Sequence, residues 1–363
     1  MNRFGILYDD KLEDYNLGHV IQGGRFQNFV DHLNAFLARH PEFEVVSPPA
    51  ASDDDLRLVH TDAYIQRIDS CIGLDPQDTP LSPGFVRAAR LLAGAGKLAG
   101  ELVQSGTHDK AFVAGGGVQH ATRDREKGFG VFSDVGICAE NLMRNFAVQR
   151  VLVVDTDAHA GDGLYRIFSE DPRVLLISIH QDPCTLYPGT GFPHEIGSGR
   201  GAGYSVQVPL PPGAGDWSYE RVIDEIVSPL AEAFWPEVLL LIDGCDTHFS
   251  DQITDMGLTL QGIRRIGERM GRLAAKLCQG KLVDFIGSGY SRDPNLVSLG
   301  WLASLSGATG VPVDLEGIEV PPPHLKPDAG LEETMEIVAG VQKELAPYWS
   351  CFAPKPAGRP HRP

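Results

Sequence analysis

An alternation of short apolar runs and helical segments constrains the fold of this chain more than any other feature of its sequence. Seven runs rich in leucine and β-branched residues are separated by segments whose apolar residues recur with helical spacing. The runs predict strands at residues 4–8, 43–46, 110–114, 151–155, 174–179, 238–243 and 282–286. Strands that alternate with helices predict an α/β fold with a central, mainly parallel sheet and helices on both faces.

The helical pattern is clearest in two of the intervening segments. Apolar residues recur every three or four positions within 26–37 and within 260–277. Thr259 is the predicted N-cap of the second helix, because a threonine hydroxyl can accept a hydrogen bond from a free N–H of the first turn. Gly280 is its predicted stop, because glycine adopts the left-handed conformation that commonly ends helices.

The chain of 363 residues shows no internal repeat and no linker that would separate two halves. We therefore expect one domain at 1–351, followed by a flexible, proline-rich tail at 352–363. Glycine- and proline-rich loops lie between the predicted strands, and loops of this kind often build a site. One of them, the rim loop at 73–83, is expected to gate that site, with either Asp75 or Asp78 in contact with the substrate.

Composition excludes several classes of protein. A formal net charge of −17 argues against nucleic-acid binding, because an acidic surface repels phosphates. With 42% hydrophobic and 22% charged residues, the chain has the composition of a folded globular protein. The sequence shows no secretory leader and no apolar stretch long enough to span a membrane, so we expect a cytoplasmic protein. Its six scattered cysteines are expected to be reduced packing residues.

Charged residues follow two of the predicted strands directly. The run at 151–155 ends in Asp155 and is followed by Asp157 and His159, and Asp246 follows the run at 238–243. Ligands of open α/β sheets bind at the carboxyl ends of the strands. Strand alternation would turn the first three side chains to one side, and an Asp/His/Asp set can hold a divalent cation while leaving positions for water and substrate. The alternative is that these carboxylates only cap turns.

Two further residues follow predicted strands. His120 comes shortly after three glycines at 115–117, where it could act as a general base; otherwise it is an ordinary surface imidazole. Tyr290 lies in a glycine-flanked turn beyond the run at 282–286, where its hydroxyl could polarise a carbonyl group. The alternative for Tyr290 is a packed aromatic ring.

Taken together, these segments resemble the histone deacetylase superfamily, which includes bacterial deacetylase-like amidohydrolases and acetylpolyamine amidohydrolases. The resemblance extends from HTDAY at 60–64 to Tyr290. The motifs that carry it are GGGVQHA, GFGVFSD, DTDAHAGDG, LYPGTGF, DGCDTHFSD and GSGY. The family implies a single-domain, three-layer fold of the arginase/deacetylase type.

The resemblance also implies roles for individual residues. The implied zinc ligands are Asp157, His159 and Asp246. His120 would be the general base, Asp162 would fix its tautomer, and Tyr290 would donate to the developing oxyanion.

Other implied roles concern the substrate and a second cation. The implied substrate-binding residues are Phe129, Tyr187 and Gly289, of which Phe129 and Tyr187 would form the walls of a narrow tube. The family also binds potassium, which implies a structural potassium site near Asp155 and Ser178.

The chain departs from the family at two positions. Gln119 stands where relatives have the first of two adjacent histidines, and glutamine cannot take up a proton. We expect Gln119 to contribute a neutral hydrogen bond in the site. Ala160 follows His159, where many relatives have histidine. Neither change implies the loss of zinc.

The expected activity is that of a zinc-dependent amidohydrolase, which removes a small acyl group from an amine such as acyl-lysine or an acetylpolyamine by means of activated water. Two alternatives stay open. The chain could hydrolyse the amide of a specialised metabolite, or it could bind acylated ligands without turning them over. An acylated amine is the expected partner, with no nucleic acid and no membrane, and a homo-oligomer is left open.

Overall fold

The computed structural model describes residues 2–18, 24–315, 317–319, 321 and 328–353. Its centre is an eight-stranded sheet with the strand order β2-β1-β3-β8-β7-β4-β5-β6. All paired strands run parallel. The strands are β1 (Phe4–Leu7), β2 (Phe43–Val46), β3 (Lys110–Ala114), β4 (Val151–Asp155), β5 (Val174–Gln181), β6 (Ser205–Leu210), β7 (Val238–Gly244) and β8 (Leu282–Ser288).

The sheet confirms the predicted α/β class and all seven predicted strands, with end shifts of at most two residues. The eighth strand, β6, was not predicted. Its sequence, SVQVPL, mixes polar residues and a proline with its valines, which favours a loop assignment. The strand nevertheless forms because β6 lies at the edge of the sheet, where proline is tolerated.

Helices flank the sheet. Those in the described residues are α1 (Gly24–Leu37), α2 (Asp53–Leu56), α3 (Asp62–Asp69), α4 (Pro83–Gln104), α5 (Asp134–Asn145), α6 (Asp162–Phe168), α7 (Asp216–Val222), α8 (Ser228–Phe234), α9 (Leu260–Leu277), α10 (Pro294–Thr309) and α11 (Leu331–Leu345). A π-helical turn at Ile223–Val227 joins α7 to α8. None of the described helices combines the length and the apolar character that a membrane crossing needs.

The predicted ends of α9 are observed. The Thr259 hydroxyl accepts a hydrogen bond from the Gly262 N–H at 3.0 Å, as an N-cap does. At the other end, Gly280 has a φ of 86° and donates its N–H to the Ala274 carbonyl at 2.9 Å. The same carbonyl accepts the Cys278 N–H at 2.8 Å, so the Gly280 N–H closes the chain onto the last turn of the helix.

The core is formed by the sheet and the buried faces of these helices. In α1 the predicted apolar face is buried, and Phe29 packs edge-on against Trp301 of α10 with ring centroids 5.1 Å apart. At the end of the described chain, Phe352 packs half-buried against the core. The rest of the expected tail, residues 354–363, lies outside the described residues.

Parallel strands place the segments that follow them at one edge of the sheet. The segments after β3, β4, β7 and β8 carry most of the residues selected from the sequence, and these four strands are neighbours at the centre of the sheet. The fold therefore brings four chain segments, far apart in sequence, to one place.

Candidate active site

Asp157, His159 and Asp246 lie together at the carboxyl ends of β4 and β7. Each residue offers one potential ligand atom, and these three atoms all lie within 4.8 Å of one another. The Nδ1 atom of His159 is 3.1 Å from Asp157 Oδ1 and 2.9 Å from Asp246 Oδ2. All three side chains are buried. Two carboxylates and an imidazole in this geometry can hold a divalent metal ion.

The electrostatics of these three residues favour a positive charge between them. Although burial opposes it, the two carboxylates raise the pKa of His159 to about 10. Burial and the nearby charge of Asp157 raise the pKa of Asp246 to about 7. Two buried carboxylates this close cannot both ionise without a cation, and a divalent ion would satisfy that requirement. The donor set therefore fits zinc.

Asp155 does not join this group, because β4 ends at Asp155 and the strand alternation goes no further. Its Oδ1 atom accepts the Asp157 N–H at 3.1 Å, while its buried Oδ2 atom has no hydrogen-bond partner among the described residues. Burial, followed by the charge of Asp157, raises the pKa of this carboxyl well above its usual value. Ser178 of β5 is paired with Asp155 in the sheet, and its hydroxyl is 3.0 Å from His180 Nδ1.

His120 and Asp162 form the second part of the site. The Nδ1 atom of His120 is 2.8 Å from Asp162 Oδ1, as the sequence motifs imply. Lys127, which the sequence reasoning missed, donates from its ammonium group to the other oxygen of Asp162. Burial works against ionisation of Asp162, but His120 and then Lys127 lower its pKa. Asp162 is therefore held as a carboxylate between an imidazole and an ammonium group.

Gly128 and Phe129 bring the chain close to His120. A Cβ atom on Gly128 would lie 2.3 Å from the His120 ring, so only glycine fits there. Phe129 adopts a left-handed φ of 66°, which is unusual for a bulky residue. The Tyr15 hydroxyl donates to its carbonyl at 2.8 Å and helps to hold that conformation.

These residues surround a cavity of about 540 Å³. The cavity lining includes these site residues predicted from the sequence: Asp157, His159, His120, Gln119, Phe129, Tyr187 and Tyr290. The Tyr187 side chain is 42% exposed, and its ring lies 5.3 Å from the His120 ring. The Phe129 and Tyr290 rings are 6.2 Å apart. Gly289 does not line the described cavity; its φ of 127° shapes the turn between Ser288 and Tyr290, which do.

The rim loop is held at two points. Asp78 lines the cavity, and its Oδ2 atom accepts the Gly128 N–H at 2.8 Å. Asp75 instead accepts backbone N–H groups of its own turn. The second point is Glu126, another residue that the sequence reasoning missed, which pairs with Arg67 and accepts the Leu74 N–H. Of the two candidate aspartates, Asp78 is therefore the one that lines the cavity.

A buried Asp-His-Asp set beside a His–Asp pair, at the carboxyl edge of a parallel sheet, is the arrangement expected of a metallohydrolase. Comparison with known proteins gives the family. The histone deacetylase domain matches residues 19–306. The chain belongs to the histone deacetylase family.

Its relatives cover most of the chain. A protein of Archaeoglobus fulgidus named as a probable deacetylase is 36% identical over 321 residues, which span 85% of this chain and 87% of that protein. The acetoin utilization protein AcuC of Bacillus subtilis is 35% identical over 270 residues, which span 71% and 68% of the two chains. Among solved structures, the HDA15 HD domain superposes with a TM-score of 0.84 at 23% identity, covering 97% of each chain. This last likeness confirms the fold.

Proposed function

We propose that the protein is a zinc-dependent deacetylase that hydrolyses the amide bond of an acylated amine. The observation that carries this proposal is the meeting of Asp157, His159 and Asp246 beside the His120–Asp162 pair in one cavity. Membership of the family and the relative named as a probable deacetylase support the same activity.

In this proposal, zinc is held by Asp157, His159 and Asp246. When bound, zinc would lower the pKa of water and polarise the carbonyl group of the substrate. Asp246 is further oriented by the Ala158 N–H at 3.0 Å and by the Ser288 hydroxyl at 3.2 Å, both on its Oδ1 atom. Hydrogen bonds of this kind fix the orientation of a metal ligand.

The protein's own groups carry the proton transfers. Asp162 occupies Nδ1 of His120, so Nε2 is the atom that takes the proton from the attacking water. The protonated His120 then passes this proton to the nitrogen of the leaving amine. Asp162 stabilises the imidazolium between the two steps, and Lys127 holds Asp162. Tyr290 lines the same cavity and donates its hydroxyl to the oxygen of the tetrahedral intermediate.

The cavity walls suit a straight aliphatic amine. Phe129, Leu186 and Tyr187 give the lining an apolar surface that can enclose a methylene chain. Asp78 adds a carboxylate that can bind an N–H group or a cationic centre of the substrate. These features favour an acyl-lysine or an acetylpolyamine.

A structural potassium ion beside Asp155 and Ser178 would pair with the Asp155 oxygen that lacks a partner among the described residues. The cytoplasmic location stays a prediction, and a homo-oligomer stays open.

The test is a turnover panel with the zinc-loaded protein. Acetyl-lysine peptides, N-acetylputrescine and unrelated small amides are compared by the rate at which the free amine appears. We expect an acetylated alkyl amine to be hydrolysed fastest. Binding of acetylated ligands without release of amine would favour the non-catalytic alternative, and a preference for unrelated amides would favour a specialised metabolite.

A further inference from the structure

The backbone N–H and the carbonyl group of Tyr290 both form hydrogen bonds with one neighbouring segment, residues 248–252. The Tyr290 N–H donates to Asp251 Oδ2 at 2.7 Å. The side-chain amide of Gln252 donates to the Tyr290 carbonyl. Because the backbone of Tyr290 is tied to this segment, the position of its side chain depends on where the segment itself is fixed.

Residues 250 and 291 provide a second connection between the same two segments. The Ser250 hydroxyl is 2.9 Å from the hydroxyl of Ser291, which directly follows Tyr290. The same Ser250 oxygen is 2.8 Å from His248 Nδ1. Ser250 therefore connects the turn that carries Tyr290 to a histidine that is only 2% exposed.

The direction of these hydrogen bonds follows from their donors. The Ser250 backbone N–H, which can only donate, points to His248 Nδ1 at 3.2 Å. Nδ1 is therefore the unprotonated acceptor of the ring, and Nε2 carries the proton. Nε2 donates that proton to Glu319 Oε2 at 2.6 Å. It follows that Ser291 donates to Ser250, that Ser250 donates to His248, and that His248 donates to Glu319.

Glu319 fixes the far end of this chain of hydrogen bonds. Its carboxylate accepts the N–H of Leu260, the first residue of α9, at 3.0 and 3.1 Å. The positive end of an 18-residue helix stabilises a carboxylate at this position. The hydrogen-bond chain therefore starts at the first residue of α9 and ends at the residue next to Tyr290.

We propose that Glu319, His248, Ser250 and Ser291 are positioning residues that set the Tyr290 hydroxyl in place for catalysis. The proposal rests on the proposed deacetylase reaction, in which that hydroxyl stabilises the oxyanion. An oxyanion donor contributes most when it is already in place before the reaction, and a misplacement of about 1 Å can cost about 10²-fold in rate. None of the four side chains needs to touch the substrate.

The test uses Ser250→Ala, which breaks the hydrogen-bond chain at its centre with little change of shape. We expect kcat to fall by about 10-fold, while KM and the affinity for a hydroxamate change by less than about twofold. Ser250→Thr, which keeps the hydroxyl, should restore most of the rate. Ser298→Ala is the matched control, because among the described residues this buried hydroxyl bonds only to the Pro294 carbonyl of its own helix. Its kcat should not change.

The decisive comparison places Ser250→Ala in the Tyr290→Phe background. If Ser250 acts through the Tyr290 hydroxyl, the second substitution should cause no further loss of kcat. An equal loss in both backgrounds, or no loss in the wild-type background, would overturn the proposal.

Amide hydrogen exchange tests the positioning without any turnover. Ser250→Ala should speed exchange at residues 288–291 and leave residues 151–157 unchanged. Unchanged exchange at 288–291 would overturn the proposal as well. If the wild-type protein shows no deacetylase activity and Ser250→Ala still speeds exchange at residues 288–291, the proposed function is refuted. The role of Ser250 in holding this turn is then supported.

Discussion

The triad of Asp157, His159 and Asp246 and the turn that carries Tyr290 lie at the same cavity but are positioned in different ways. Asp157, His159 and Asp246 follow neighbouring strands, so the sheet itself brings them together. Tyr290 lies beyond the end of β8, and its position depends on hydrogen bonds from residues 248–252. Strand ends can therefore bring potential metal ligands together by themselves, whereas a hydrogen-bond donor on a turn needs additional connections.

His120, the proposed general base, should show the largest effect among the residues proposed to move protons. The residue before His120 is glutamine, so the first histidine of the family's adjacent pair is missing. His120→Ala should therefore lower kcat by up to about 10⁴-fold, the upper end for general acid–base catalysis. Steady-state kinetics with zinc content measured in parallel would check this. A loss of less than about tenfold would show that another group takes the proton.

The turn carrying Tyr290 is tested by Tyr290→Phe, which removes a single hydroxyl. We expect kcat to fall by about 10²- to 10³-fold, the usual cost of losing one oxyanion donor. Hydroxamate affinity should be retained, because the metal ligands and the cavity walls are unchanged. Wild-type kcat in this variant would mean that Tyr290 is only a packed aromatic ring.

Lys127 should give a smaller effect, because it bonds to Asp162 and not to His120 itself. Its side chain is 28% exposed, so solvent screens part of its charge. Lys127→Met keeps the length of the side chain but removes the ammonium group, and we expect kcat to fall by about 10-fold. Lys127→Arg should retain more activity than Lys127→Met. Equal rates in the two variants would show that the charge of residue 127 does not matter.

Gln119 should give the smallest effect of this series. Its side chain can supply only a neutral hydrogen bond, worth about 0.5–1.5 kcal/mol, so Gln119→Ala should slow turnover by about 2- to 12-fold. Gln119→His, which restores the pair of histidines typical of the family, should be tolerated. If Gln119→Ala proved as damaging as His120→Ala, the mechanism with a single base would be wrong.

The sequence was sufficient to predict the parts of the molecule that local patterns determine. Seven strands, the apolar face of α1 and the N-cap of α9 follow from residue spacing and from the chemistry of a few side chains. The convergence of Asp157 and His159 with Asp246 also followed, because parallel strands place their carboxyl ends at one edge of the sheet.

The parts that could not be predicted depend on contacts between distant residues. Lys127 reaches Asp162 across 35 positions, and His248 reaches Glu319 across 71. Neither pair forms a motif with fixed spacing, and a lone lysine or histidine is more often a surface or packing residue. One signal was present for His248, since it lies inside the motif DGCDTHFSD. The motif alone, however, gives no indication of the partner of His248.

The central claim, that Asp157, His159 and Asp246 hold a catalytic zinc ion, is tested most directly by metal analysis of Asp246→Ala. The account predicts about one zinc ion per wild-type chain, little zinc in the variant, and no measurable turnover by the variant. Circular dichroism should show that the variant keeps its secondary structure. Full zinc occupancy in Asp246→Ala, or wild-type turnover after removal of the metal, would contradict the account.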